Sequence, residues 1–306
     1  MTEETARSVL ADPLQGDDTV PHGVAPHSPQ TALREDADFS ALQRFIHKYP
    51  KLFILTGAGC STESGIADYR DRDGAWKRPM PTTFQAFTGD ELARQRYWAR
   101  GMIGWRGFGR ARPNAAHAAL AQWEHQGHVE LLVTQNVDGL HEAAGSREVV
   151  DLHGRLDTVC CLRCGQRLTR DQVQRELERR NPGWIGLTAN LAPDGDADLE
   201  DAAFATFDVP PHEACGGMLK PDVVFFGEAV PRERVDRALQ ALDRADGMLV
   251  VGSSLMVYSG YRFALAAAER DLPIAAINIG HTRADALLSL KVQAAAGAVL
   301  SELDVR

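Results

Sequence analysis

The sequence predicts an α/β fold, a doubly wound parallel sheet interrupted by two insertions. Two observations carry that prediction. Short apolar runs alternate with segments whose apolar residues recur at helical spacing, the pattern of strands connected through helices. The same apolar runs end in loops of glycine and small polar residues, as expected at the carboxyl ends of parallel strands.

Residues 1–37 are rich in Asp, Pro, Gly, His and Ser, have no sustained period, and read as a disordered tail. Phe39, Leu42, Phe45 and Ile46 then recur at helical spacing. Leu52–Thr56 is the first strand, and its glycine loop leads to a helix starting near Ser61 or Thr62. Residues 71–113 contain the string RQRYWARGMIGWRGF and read as a helical insertion. Asn114–Gln126 holds good helix formers and stops at Gly127. Val129–Val133 and Val149–Leu152 are the next strands. Residues 157–216 turn to short segments, turn residues and paired cysteines, the signature of a small inserted domain. Parallel-sheet language resumes with apolar Asp222–Phe226, the amphipathic helix Arg232–Arg244, and the strands Gly247–Val251 and Ile274–Asn278. Residues 38–156 and 217–306 thus form one Rossmann-like domain around the small one.

With 44% apolar and 25% charged residues in 306, the composition is that of an ordinary globular chain. A formal net charge of −9 argues against a nucleic-acid binder, which needs a basic face. No apolar run reaches the roughly 18 residues of a membrane span. The N-terminal stretch has early acids and no apolar core, so it does not read as a secretory signal. The cysteine count is five, and Cys160, Cys161, Cys164 and Cys215 fall in two clusters. That points to metal chemistry in a reducing cytoplasm and away from a disulfide framework. The sequence sets no oligomeric state; a monomer is consistent with it.

The chemistry lies at the strand ends. Gly57-Ala58-Gly59 follows the first strand, but Thr62 stands where a dehydrogenase fingerprint wants its third glycine. Glycines let backbone approach a phosphate, and a following helix offers free N–H groups. TQNVD, LHG, VGSS and NIG occupy other strand ends, which makes a bare tight turn a poor account of the glycines. His153 reads either as a structural hydrogen-bonder or as a base that titrates near neutrality. Asn136 and Asp138 suit a site or a simple turn. Cys161-Leu-Arg-Cys164 and, after 47 intervening residues, His212-Glu-Ala-Cys215 are two knuckles for one tetrahedral Zn2+. Four protein ligands leave no place for water, so the zinc is structural, one per chain. Cys160 competes for the first position but lacks the spacing. Cys60, beside the glycine loop, is placed where a thiol pKa can be lowered, or it is a small packing residue.

Together GAGCSTESGIADYR, TQNVDGLHEAAG, LHG, the two knuckles, CGGMLKPDVVFFGE, VGSSLMVYSGYRF and NIG resemble the sirtuin family of NAD-dependent protein deacylases, most closely class II. The resemblance covers roughly residues 38–302. It implies that Gly57, Ala58 and Gly59 hold phosphate, with Thr62 in the same loop. Asp68, Tyr69 and Arg70 lie on a flexible cofactor-binding loop. Gln135, Asn136 and Asp138 surround the nicotinamide and its ribose. Gly252, Ser253, Ser254, Asn278, Ile279, Gly280 and Ala296 hold the adenosine half. His153 is the general base. The implied products are free lysine, nicotinamide and O-acyl-ADP-ribose, from acyl-lysine protein or peptide substrates.

An acyl-lysine needs a dry tunnel and a backbone clamp. Val223, Phe225 and Phe226 offer the first. Gly227 and Tyr258, on exposed strand-like edges, offer the second by strand addition. Val224 reads as buried strand. Tyr97 and Arg100 have the Y-x-x-R spacing that receives an acidic acyl group in desuccinylating sirtuins, or they are packing and surface residues of the insertion. His212 stands where most of the family has cysteine, an exchange zinc accepts. Ala67 replaces a common proline, and Cys60 a commoner apolar residue. Other readings are a mono-ADP-ribosyltransferase or lipoamidase on the same site, a non-catalytic NAD or ADP-ribose module, and, on fold alone, a dehydrogenase.

Overall fold

The computed structural model describes residues 31–190, 192–199 and 202–305. Among these, strands β1 (Leu52–Thr56), β2 (Val129–Thr134), β3 (Val149–Asp151), β7 (Gly247–Val251), β8 (Ile274–Ile277) and β9 (Leu290–Val292) form a parallel sheet in the order β3-β2-β1-β7-β8-β9. β1 and β7 are buried at every position. Side chains alternate faces along a strand, and β1 divides accordingly. Leu52 and Ile54 join a core with α1 (Thr31–Lys48), α4 (Ala115–His125) and α9 (Ala296–Leu300). Phe53 and Leu55 join the opposite core with α7 (Arg232–Leu242) and α8 (Tyr258–Glu269). The chain order reverses between β1 and β7, and the carboxyl ends of that pair are where such sheets open a crevice.

A smaller antiparallel sheet has the order β5-β4-β6, from β4 (Gly154–Cys161), β5 (Arg167–Thr169) and β6 (Leu219–Val223). It packs with α3 (Glu91–Phe108) and α6 (Arg170–Arg180) around Trp98, Met102, Val159, Leu177 and Phe207. Short helix α2 (Phe84–Gly89) precedes α3, and α5 (Leu140–Ala143) follows β2.

Several elements differ from the sequence reading. Helix α1 begins at Thr31, inside the stretch read as a tail; residues 1–30 lie outside the described residues. No α-helix starts at Ser61 or Thr62. Two 3-10 turns, Ala58–Cys60 and Thr62–Ser64, stand there, and Gly65 at φ 83° ends the second in the left-handed region. The helical insertion is confined to 84–108, whereas residues 71–82 are loop and turn. The apolar run at 222–226 does not join the parallel sheet. Its strand is Leu219–Val223, paired antiparallel with β4. Val224 lies beyond it, half-buried, its N–H donating to His153 O at 2.7 Å.

Helix α4 shows how the fold serves the glycine loop. Asn114 caps it, accepting from Ala116 N–H at 2.9 Å, and its Nδ2 reaches back to Cys60 O at 2.8 Å and Ser64 Oγ at 3.0 Å. Asn114→Ala removes a cap and both tethers. We expect a loss of about 1–2 kcal/mol in denaturant unfolding, with weakened affinity for NAD measured by calorimetry.

Candidate active site

The crevice is built by mutual close approach of the β1 and β7 loops. Gly57 N–H donates to Val251 O at 3.0 Å and Gly59 N–H to Gly252 O at 2.8 Å. A β-carbon at Gly57 would meet Ser253 Cβ at 2.8 Å, one at Gly59 would meet Gly252 O at 2.9 Å, and one at Gly252 would meet Cys60 N at 2.3 Å. Gly252 also has φ 61°. The glycines are therefore required by the interlock itself, with no third glycine. Thr62 at that position donates its hydroxyl to Gly59 O at 3.1 Å and closes the turn.

Around this interlock lies a cavity of about 2280 Å³, larger than the roughly 300–1,000 Å³ of a typical small-molecule site. Its walls include Gly57, Ala58, Gly59, Thr62, Asp68, Tyr69 and Arg70, then Gln135, Asn136, Asp138 and His153. Gly252, Ser253, Ser254, Asn278, Ile279 and Ala296 line it as well. Gly280 does not; it sits behind at φ 90°, where a β-carbon would strike Arg72 O at 2.2 Å.

The polar groups are joined to one another. Gln135 Nε2 donates to Ser253 Oγ at 2.7 Å, spanning the crevice floor, and Gly260 leaves room for it. Asn136 Nδ2 donates to Gly57 O and Ser61 Oγ, both at 3.0 Å. Ser61 Oγ donates to Asp138 Oδ2 at 2.7 Å. Burial raises the Asp138 carboxyl, while Leu140 N–H, Ser61 and Arg155 pull it back. Arg70 lies over the Trp76 ring at 4.0 Å and donates to Gly74 O at 2.6 Å, and Asp68 pairs with Lys77.

His153 follows β3. Its Nδ1 lies 2.9 Å from Gln135 O, which as a carbonyl only accepts, so Nδ1 carries the proton. Nε2 is then a bare lone pair, and it accepts from Ser259 Oγ at 2.8 Å. The ring is partly open to the cavity, yet surrounded by its walls and not by bulk water. That burial lowers its pKa to about 4, against the Gln135 hydrogen bond, with the Arg234 and Arg262 charges adding to the fall. At neutral pH the ring is an uncharged base. Burial also pushes the Cys60 thiol upward, so the lowered pKa that its position allowed is not realised.

Phe225 is buried, its ring 5.1 Å from both Phe87 and Tyr97. Val223, Phe225, Phe226, Tyr97 and Arg100 share the cavity wall. The strand-edge expectation changes, however. Tyr258 begins helix α8, 40% exposed, and Gly227 lies in a turn at φ 79°. Phe226 makes one parallel bridge to Thr83, and its carbonyl accepts from Phe84 N–H. Arg100 is not presented free. Its Nε and Nη2 donate to the two oxygens of Asp196 at 2.8 and 2.7 Å. Ser61, Ser259 and Asp196 are the residues that the sequence reading missed. STESG and YSGYRF contain the two serines, but nothing in either string shows what their hydroxyls touch.

At the small sheet, Cys161 Sγ lies 3.5 Å from Cys215 Sγ, and His212 Nδ1 lies 3.2 Å from Cys215 Sγ and 3.4 Å from Cys164 Sγ. These separations are the edges of a tetrahedron with ligands about 2.0–2.3 Å from its centre, so the set fits Zn2+. Gly217 completes the cradle: a β-carbon there would lie 2.5 Å from Cys161 Sγ. Cys160 is outside the cluster, paired into the sheet opposite Lys220 and Arg167.

An interlocked glycine crevice at a sheet switch point, with a neutral base at its rim, belongs to a dinucleotide-binding α/β enzyme. The Sir2 family pattern matches residues 57–259, and the chain belongs to that family. It is 63% identical over 263 residues to an NAD-dependent protein deacetylase of Xanthomonas campestris pv. campestris, covering 86% of this chain and 90% of that protein. It is 48% identical over 268 residues to the mitochondrial NAD-dependent protein lipoamidase sirtuin-4 of Bos taurus, covering 87% and 85%. Among solved structures it is similar to a Sir2 complex with a p53 peptide and NAD+ (TM-score 0.65, 28% identity, 86% and 94% covered). It is also similar to a Sir2 homologue variant with ADP-ribose (TM-score 0.66, 32% identity, 86% and 93% covered).

Cys161→Ala is expected to release the single equivalent of zinc and lower the melting temperature, read by elemental analysis and calorimetry. His212→Cys keeps the metal. Loss of zinc from His212→Cys would contradict the assigned ligand set.

Proposed function

We propose that this protein is an NAD-dependent protein-lysine deacylase that moves the acyl group to ADP-ribose and releases nicotinamide. The observation that carries the reading is His153, held neutral with its Nε2 lone pair at the cavity. Bound NAD supplies the ribose carbon that receives the acyl oxygen. Gly57, Ala58 and Gly59 hold its phosphates by backbone, with Thr62 fixing the turn and Asp68, Tyr69 and Arg70 covering it. Gln135, Asn136 and Asp138 orient the nicotinamide end. Gly252, Ser253, Ser254, Asn278, Ile279 and Ala296 take the adenosine end, with Gly280 shaping the loop behind. His153 Nε2 takes a proton from a ribose hydroxyl once Ser259 turns its own hydroxyl aside. Val223, Phe225, Gly227 and Tyr258 receive the acyl-lysine and its peptide.

The same cavity bears on the acyl group. Arg100 is the expected carboxylate reader, but Asp196 already takes its Nε and Nη2 donors in a two-pronged bond. Nearby Asp194, an exposed residue on the same wall, sets a second carboxylate beside it. An acidic acyl group reaching Arg100 would meet two carboxylates already beside it. Neutral acyl groups, acetyl or the longer lipoyl, fit this wall better, in keeping with the names of both relatives.

The compartment we propose is the reducing cytoplasm. None of the five cysteines is in a disulfide, and four of them lie beside or within the zinc knuckles. No helix among the described residues is long and apolar enough to cross a membrane.

Three measurements test this reading. His153→Ala should abolish deacylation while NAD still binds. For the wild type, kcat/KM reports the free enzyme's base. It should stay above about 90% of its plateau at pH 5.5, where a histidine titrating near 6.5 would leave about 10%. Circular dichroism at each pH separates titration from unfolding. An acid limb centred near pH 6.5 would contradict the buried, neutral assignment. Asp196→Ala should raise turnover of glutaryl-lysine over acetyl-lysine by about tenfold or more, the worth of one charge-assisted hydrogen bond.

A further inference from the structure

We propose that Cys60, His117 and His141 form a second metal site, suited to a soft monovalent ion and filled by copper(I). The three side chains are at most 1% exposed and meet where the glycine loop, α4 and α5 join. Their donor atoms lie within 4.8 Å of one another, and the two imidazole centroids are 4.8 Å apart. A point equidistant from donors at that outer separation is about 2.8 Å from each. Thiolate and imidazole bonds of about 2.0–2.3 Å then require each donor to move inward by only about half an ångström or a little more.

The hydrogen bonds already present both rings as ligands. Thr56 Oγ1 donates to Thr134 Oγ1 at 2.8 Å, so at 2.9 Å from His141 Nε2 it accepts, and Nε2 carries the ring proton. His141 Nδ1 is left as a lone pair with no partner, buried. A buried acceptor without a donor is costly, and a metal would satisfy it. His117 Nδ1 lies 3.3 Å from Asn114 N–H and closer, at 3.0 Å, to Asn114 Oδ1, which can only accept; the shorter contact places the proton on Nδ1, while Nε2 has only a 3.5 Å contact to Ser61 Oγ. Each ring thus has an oxygen holding its far N–H, the outer arrangement that metal-binding histidines use.

Donor number and charge select the ion. One thiolate and two imidazoles give three donors, where zinc wants four. Sulfur with nitrogen suits a soft ion. A thiolate with a monovalent cation is neutral, whereas a divalent one leaves net charge in a buried site, which is expensive. The acids nearest Cys60 are committed elsewhere: Glu63 Oε2 to Gly297 N–H at 2.9 Å, and Asp138 Oδ2 to Ser61. On binding, the Cys60 S–H proton passes to solvent as the copper–sulfur bond forms, and copper stays monovalent.

The test uses the full zinc-loaded chain under reducing conditions, titrated with copper(I) against a chromophoric copper(I) chelator. Copper and zinc are both counted. Wild type should take up one copper and keep its zinc. Cys60→Val should keep its zinc and take up none. X-ray absorption of the copper-loaded wild type, which needs no variant, should show one sulfur and two nitrogen ligands. Equal copper in both proteins, copper gained only as zinc is lost, a second zinc in place of copper, or a three-sulfur environment would overturn the proposal.

Discussion

The fold depends on one close approach: the loop after β1 and the loop after β7 sit so near that no β-carbon fits at Gly57, Gly59 or Gly252. Backbone hydrogen bonds of 2.8 and 3.0 Å fix that contact. It joins the neighbouring strands at which the sheet reverses, and so decides where the crevice opens. Side chains of the adjoining strand ends then close around it. Asn136 ties to Gly57 O and Gln135 to Ser253. Asn114 and Glu63 brace the same loop from α4 and toward α9.

Within the crevice, burial is what turns ordinary residues into a site. A histidine in water would be partly charged near neutrality. Here His153 is neutral, because its charged form is poorly solvated and two arginine charges oppose it. The carbonyl of Gln135 then fixes which nitrogen is basic. Position and tautomer come from the fold; basicity comes from the walls. The zinc module acts at one remove. Its sheet carries β4 directly from His153-Gly154, and Val224 N–H bonds the His153 carbonyl, so the metal cluster steadies the segments that bound the acyl side.

Much of this was legible in the chain. β1 and β7 are apolar throughout because both faces are covered, and a continuous apolar run followed by glycine is easy to read. The zinc knuckles were legible because ligand spacing is local. The rest failed where the deciding partner is distant in sequence. Leu219–Val223 is apolar enough for either sheet; only its pairing with β4 settles which. β9 is three residues with a lysine at its centre, too short to show a period. Ser61, Ser259 and Asp196 matter through contacts across 77, 106 and 96 positions, which no window reveals. The spacing from Tyr97 suggested Arg100 as a carboxylate reader or a surface residue, and showed nothing of the carboxylate it already holds.

The most direct test of the account is a mass balance on a single reaction. Purified protein, NAD and an acetyl- or lipoyl-lysine peptide are incubated, and all products are measured by mass spectrometry. The account predicts free lysine peptide, nicotinamide and O-acyl-ADP-ribose in equal amounts. Free lysine with intact NAD, or ADP-ribose attached to protein in place of the acyl product, would contradict it.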